Sequence, residues 1–197
     1  MKIVTLWYDS DIQNPAEFDS AWTLYSFSRR HTSFKDPSEF FPDGKPSIGL
    51  RRKLEVGTAF LLSYYEHGNS VWSLRGTGPK CQFDSVDVAG ILLCKEPKNM
   101  GAKTLEARRT DAGYFVDIYT AWCNGDGYGY QIEEEVTLPC GHKEIKDVDS
   151  CYGFYGTEVA HMAQQVKSVV GNDEIVVRGE AAMLAKFHDF GRVVEAT

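Results

Sequence analysis

Trp122-Cys123-Asn124-Gly125-Asp126-Gly127-Tyr128-Gly129-Tyr130, and beyond an acidic stretch Asp149-Ser150-Cys151-Tyr152-Gly153-Phe154-Tyr155-Gly156, decide how this chain is read. Each glycine loses more conformational entropy on ordering than any other residue, and each aromatic ring must be buried or must bind something. The two boxes therefore mark either the heart of the fold or a recognition surface. Residues 102–122, before the first box, carry the best helical period. Leu105, Ala112, Phe115, Ile118, Tyr119 and Trp122 include steps of three, four and seven. Gly113 interrupts that pattern and predicts a bend or a separate first helix. Asn124-Gly125 is a C-terminal stop, and at least one of Gly125, Gly127 and Gly129 is expected at positive φ there. Residues 128–136 then read as a strand, Pro139-Cys140-Gly141-His142 as a turn, and 144–151 as the partner strand.

Working outward, residues 3–8 read as a short strand. Asn14-Pro15-Ala16-Glu17 looks like a helix start, with Asn as cap and Pro in the first turn. Trp22, Leu24, Tyr25 and Phe27 are strand-like. Residues 32–46 form an irregular, proline-containing loop whose Phe34, Phe40 and Phe41 should pack down. Residues 59–65 and 71–74 flank His67-Gly68-Asn69-Ser70 as a hairpin, and 88–94 is a further strand. On the C-terminal side, 158–170 is a helix with Val159, Met162, Ala163, Val166 and Val170 on one face. A strand at 175–177 and a short helix over 180–188 follow. Runs of strands with helices inserted, without regular βα alternation, predict the α+β class. The expected form is a single domain, with a mostly antiparallel sheet and two or three packed helices. Residues 1–170 would be the core and 171–197 an extension packed on it.

The chain has 197 residues, 43% hydrophobic and 13% aromatic, enough for a core without disulfides or metal. A net charge of −7 argues against sequence-independent binding to a phosphate backbone and permits a basic protein partner. Five cysteines at irregular spacing, Cys81, Cys94, Cys123, Cys140 and Cys151, do not make a disulfide framework. No apolar run approaches the ~20 residues that span a bilayer, and Met1–Trp7 lacks a long apolar signal region. The expected setting is the cytoplasm, with reduced thiols.

Tyr64-Tyr65-Glu66-His67-Gly68, Trp72-Ser73, Cys81-Gln82-Phe83-Asp84-Ser85, residues 119–130 and the complete Asp149–Gly156 box together resemble a family of uncharacterised bacteriophage and prophage accessory proteins. In that family a tyrosine-containing helix runs into a Gly-rich turn and a Gly-Tyr strand. A second strand ends in an Asp-Ser-Cys-aromatic-Gly-Phe-Tyr-Gly box. The resemblance covers roughly residues 5 to 165 and stops before the tail after Val170. The Pro139–His142 insertion is longer than the family's turn. The resemblance implies origin in a phage or mobile element and carries no chemistry with it.

Five chemistries can be weighed against these residues. Cys140 and His142, with Cys123 and Cys151 folded near, would make a tetrahedral zinc site. No Cys-x-x-Cys pair exists, and Pro-Cys-Gly-His is also a good turn. Asp84, Asp87 and His67 would hold a hard metal for hydrolysis, although Asp84 also suits a turn cap. Cys151 with His161 would be a nucleophile and base, against the usual role of a free cysteine as a small buried hydrophobe. Gly125-Asp126-Gly127-Tyr128-Gly129 follows a helix and precedes a strand, the reverse of a dinucleotide fingerprint, and Asp126 repels phosphate. Finally, Tyr128, Tyr130, Tyr152 and Tyr155 beside Glu133 and Glu135 would form an aromatic, acidic surface for a basic protein partner. The simpler alternative buries most of these rings between sheet and helix.

The expectation that follows is a non-enzymatic accessory protein without a cofactor or metal. It would bind a host protein with a basic surface, most sharply an anti-defence, anti-CRISPR-like inhibitor of a host nuclease, without touching nucleic acid or membrane. The alternatives are a small metal-dependent enzyme of nucleic-acid metabolism built on Asp84, Asp87 and His67, and a structural module of the virion or replication machinery.

Overall fold

Apolar residues alternate along Lys2–Tyr8 and recur at helical spacing along Val159–Val170, and these two periods set the architecture around them. The computed structural model describes residues 1–17 and 21–196. In chain order its main elements are β1 (Lys2–Tyr8), β2 (Trp22–Ser26), α1 (Ile48–Glu55), β3 (Ala59–His67), β4 (Asn69–Leu74) and β5 (Ser85–Cys94). They continue with α2 (Leu105–Cys123), β6 (Gly127–Thr137), β7 (Lys143–Tyr155), α3 (Val159–Val170), β8 (Glu174–Arg178) and β9 (Arg192–Ala196). The class is α+β, as expected, but the strands form two sheets where one was expected. One is five-stranded, in the order β7-β6-β1-β8-β9, and the other four-stranded, β2-β5-β3-β4. Most pairs are antiparallel; β1–β8 and β8–β9 are parallel.

The chain divides into two compact units. Unit 1 is Met1–Gln13 with Gly125–Thr197, and unit 2 is Asn14–Asn124. The tail after Val170 is thus part of unit 1's sheet, since β8 pairs with β1 (Lys2 opposite Ile175), and the boundary expected at 170 gives way to those at 13 and 124.

In unit 1, α3 lays Val159, Met162, Ala163, Val166 and Val170, all buried, against Val4, Leu6, Tyr130, Ile132, Ile175 and Val177. These are the helix-face residues the sequence period marks. Gly171, at φ 64, ends the helix. The helix expected over 180–188 is a short 3-10 helix, Ala182–Lys186, and β9 follows it unforeseen.

In unit 2 both faces of the sheet are covered. Ala112, Phe115, Val116 and Tyr119 of α2 pack on Trp22, Leu24, Leu62, Trp72, Leu74 and Leu92. On the other face Leu50 of α1 joins Ala59 and Ile91, with Tyr25, Phe27, Phe40 and Phe41 around them. The loop phenylalanines Phe40 and Phe41 therefore pack down as expected. Ser47 caps α1 by accepting from the Leu50 amide at 3.2 Å. Thr104 caps α2 in the same way, accepting from Ala107 N at 3.1 Å. Thr120 and Asn124, one helical turn apart, close the outer edge of β4. Thr120 Oγ1 accepts from Trp72 N and donates to Trp72 O, while the Asn124 amide does the same for Ser70. An edge strand is thereby sealed by side chains that stand in for a neighbouring strand.

Two local expectations are corrected. Asn14 Oδ1 accepts from the Ala16 amide at 3.0 Å, yet residues 15–17 form only a turn; 18–20, into which the expected helix would run, lie outside the described residues. Gly113 does not interrupt α2. Its neighbour is Leu74 Cδ1, 4.0 Å from where a Cβ would sit, so helix and strand pack over it. Gly113→Ala should therefore stabilise unit 2 by roughly 0.5–1 kcal/mol, because the helix interior loses less entropy and nothing clashes. Differential scanning calorimetry reads this as a raised Tm; a fall would show that the packing over Gly113 is tighter than this.

Candidate functional site

Residues 125–130 of the first glycine-aromatic box and the whole second box, 149–156, lie in unit 1. Gly125 takes φ 70 in the turn after α2, as expected. Gly127 and Gly129 are glycine for a different reason, close approach. A Cβ on Gly129 would stand 2.9 Å from Trp7 Nε1 and 3.2 Å from the Cys151 carbonyl oxygen. The Trp7 indole therefore lies over the Gly129 backbone on the face away from α3. Register agrees, since Trp7 is opposite Gly129 and Thr5 opposite Gln131. Tyr152 stacks obliquely on that indole at 5.8 Å and is 63% exposed. At the same strand end Tyr8, itself exposed, meets Tyr128 at 5.4 Å. Burial raises the Tyr128 hydroxyl pKa, with Asp126 and Tyr8 adding to it.

The six residues expected on a recognition surface separate sharply. Tyr152 is exposed, Tyr128 is half-buried, and Glu133 and Glu135 are partly covered and already paired. Arg178 Nη2 reaches Glu133 Oε2 at 2.8 Å while its Nε donates to Thr5 Oγ1. Lys143 Nζ reaches Glu135 Oε1 at 2.8 Å, and that hydrogen bond is the main reason the Glu135 carboxyl is lowered. Tyr130 and Tyr155 are buried and belong to the core, which corrects their expected place. The Tyr130 hydroxyl donates to Asp149 Oδ2 at 2.8 Å; burial first, then that carboxylate, raises its pKa. The Tyr155 hydroxyl donates to Gln13 O at 2.7 Å, and burial pushes it up to about 12.

The β6–β7 hairpin extends this face. Gln131 Nε2 donates to Asp147 Oδ1 at 2.7 Å, and the apolar Ile145 and Val148 are 55% and 41% exposed. β7 is an edge strand, but its register against β6 shifts on both sides of Asp149–Cys151, and Gly153 takes φ 81. Such bulges, with Lys143 and Lys146 on the strand, oppose addition of a further strand and leave side chains as the means of contact. Charge follows the same division. Unit 1 carries seven Lys and Arg against fifteen Asp and Glu, a net −8, whereas unit 2 carries fourteen against thirteen, a net +1. Trp7 and Tyr8 were not singled out from sequence; the signal was an aromatic strand end able to pair with the alternating glycines of β6.

The other candidate residues are not brought together as their chemistries require. His67 Nδ1 lies 3.3 Å from Asp84 Oδ2, which also accepts from Cys81 Sγ. Asp87 instead takes both Nε and Nη2 of Arg75 on one oxygen, at 2.9 and 2.6 Å, and Arg75 lowers its pKa. Cys140 and His142 occupy an exposed turn closed by Leu138 N to His142 O at 2.8 Å. Among the described residues no group of three or more His, Cys, Asp or Glu is placed to hold a metal ion. Cys151 packs beside the unit 1 core, whereas His161 contacts Gln165 and the Phe154 ring. No described helix is long and apolar enough to cross a membrane. No family model matches the chain, and no curated protein or solved structure is significantly similar to it.

Proposed function

We propose that this chain is a phage or mobile-element accessory protein that acts in the host cytoplasm by binding a basic protein surface. In its sharpest form it is an anti-CRISPR-like inhibitor that occupies the nucleic-acid channel of a host nuclease. The observation that carries the reading is the segregation of charge. The whole negative excess resides in unit 1, the unit that also presents Trp7 and Tyr152. An acidic field speeds encounter with a basic groove, and exposed rings supply contact area at low entropic cost. Because Glu133 and Glu135 are held by Arg178 and Lys143, reversing them would break pairs within the protein as well as any contact outside it. Tyr152, which is exposed and carries no internal ion pair, separates binding from folding more cleanly.

The test is phage plating on cells with an active CRISPR system. Tyr152→Ala should reduce protection by about tenfold or more, with Tm nearly unchanged. Asp87→Asn and His67→Gln should leave protection intact. Loss of protection in the Asp87 or His67 variant, with the face variant silent, would replace this reading by the enzymatic one.

A further inference from the structure

Unit 2 has a cleft of about 510 Å³ between the chain after β2, the β3–β4 hairpin and the start of β5. Its aromatic lining is Tyr64, Trp72 and Phe83. The Trp72 ring is buried and 4.7 Å from Tyr64, whose hydroxyl is fixed 2.9 Å from Ser70 Oγ. Phe83 is 88% exposed at the mouth. His31 stands edge-on to both inner rings, at 5.2 and 5.4 Å, and its Nδ1 is 2.7 Å from Ser26 Oγ. This is not a nucleophile and base: Ser26 is fully buried, and its oxygen already accepts from the Ser28 amide at 3.0 Å. Burial, outweighing the attraction of Glu66, lowers the His31 pKa.

The charges in the cleft are unbalanced. Glu66 and Asp84 are neighbours across the strands, joined by the Glu66 amide to the Asp84 carbonyl at 3.1 Å. Asp84 spends Oδ2 on His67 and Cys81, and among the described residues Glu66 makes no ion pair. Arg30 also lines the cleft but is exposed and makes no ion pair with either carboxylate. Two adjacent carboxylates beside the exposed Phe83 ring and the partly exposed Tyr64 ring favour a flat, weakly hydrated cation. A guanidinium stacks on rings and offers N–H groups to two carboxylates at once, which a compact ammonium does less well. We propose that this cleft binds a guanidinium group, with Glu66 and Asp84 as counter-charges and Tyr64 and Phe83 as stacking faces. The group could belong to a free small guanidine or to an arginine side chain. The proposal does not depend on the face of unit 1.

Titration of the isotope-labelled full chain with ethylguanidine, and separately with acetyl-Gly-Arg-Gly-amide, followed by NMR, tests it. Saturable shifts are expected at Tyr64, Glu66, Phe83 and Asp84. Glu66→Gln should weaken binding about tenfold, the loss of one charge-assisted hydrogen bond. Phe83→Ala, at an exposed position, should also weaken binding without unfolding the chain. Tighter binding of ethylguanidine assigns a small molecule and tighter binding of the peptide an arginine side chain; either upholds the class. Absence of saturable shifts, equal binding by Glu66→Gln, or equal response to sodium propionate overturns it.

Discussion

Gly179→Ala is expected to destabilise unit 1 more than any other single methyl group added to it. Gly179 sits at φ 101 just after β8, and a Cβ there would run into the Leu6 carbonyl oxygen of the adjacent β1. That oxygen also accepts from the Ala181 amide at 3.2 Å, so it cannot turn away without losing a bond. Backbone strain and overpacking each contribute about 1–3 kcal/mol, together roughly 3 kcal/mol or more. For a unit of this size the Tm falls by roughly 10 °C or more. Hydrogen exchange read by peptide should show β1 and β8 losing protection together. An alanine variant within a degree of wild type would mean that β1 and β8 do not approach in this register.

Gly90→Ala should have the next largest effect, in unit 2. Gly90 lies in the central strand β5, opposite Ser26 of β2 and Leu62 of β3. An added Cβ would be 2.5 Å from the Tyr25 carbonyl oxygen and 3.3 Å from Trp72 Cζ3. The oxygen belongs to backbone in the sheet, so relief requires β2 and β5 to part. About 2–3 kcal/mol is expected, read as an earlier urea midpoint without a change in slope. The contrast with Gly113→Ala, a gain from the same added atoms, makes the pair a test of packing rather than of composition. Equal effects at the two positions would contradict the structure.

Much of the fold was legible because periodicity survives in single elements. All five residues marked on the face of α3 are buried, and Ala112, Phe115 and Tyr119 of α2 are too. What was hidden depends on partners far along the chain. Lys2 lies opposite Ile175, so neither the parallel pairing nor the second sheet leaves a local trace. α1 buries only Leu50 fully, too thin a stripe to read between prolines and basic residues. The tyrosines were ambiguous for a geometric reason. Cys151 and Phe154 both meet the core although they are three residues apart, because the strand bulges between them. Simple alternation would therefore put exposed Tyr152 on the same face as buried Phe154, two residues on. The state of Glu133 was likewise out of reach, since its partner Arg178 arrives on β8.

The central claim is that the acidic, aromatic face of unit 1 binds a basic protein surface. Its most direct measurement is the affinity of the purified protein for the nuclease of an active CRISPR system, taken across a range of salt with and without the nuclease's nucleic acid. Affinity should fall steeply as salt rises, drop further with Tyr152→Ala, and compete with the nucleic acid. Binding that is independent of salt and indifferent to both Tyr152 and nucleic acid would contradict it.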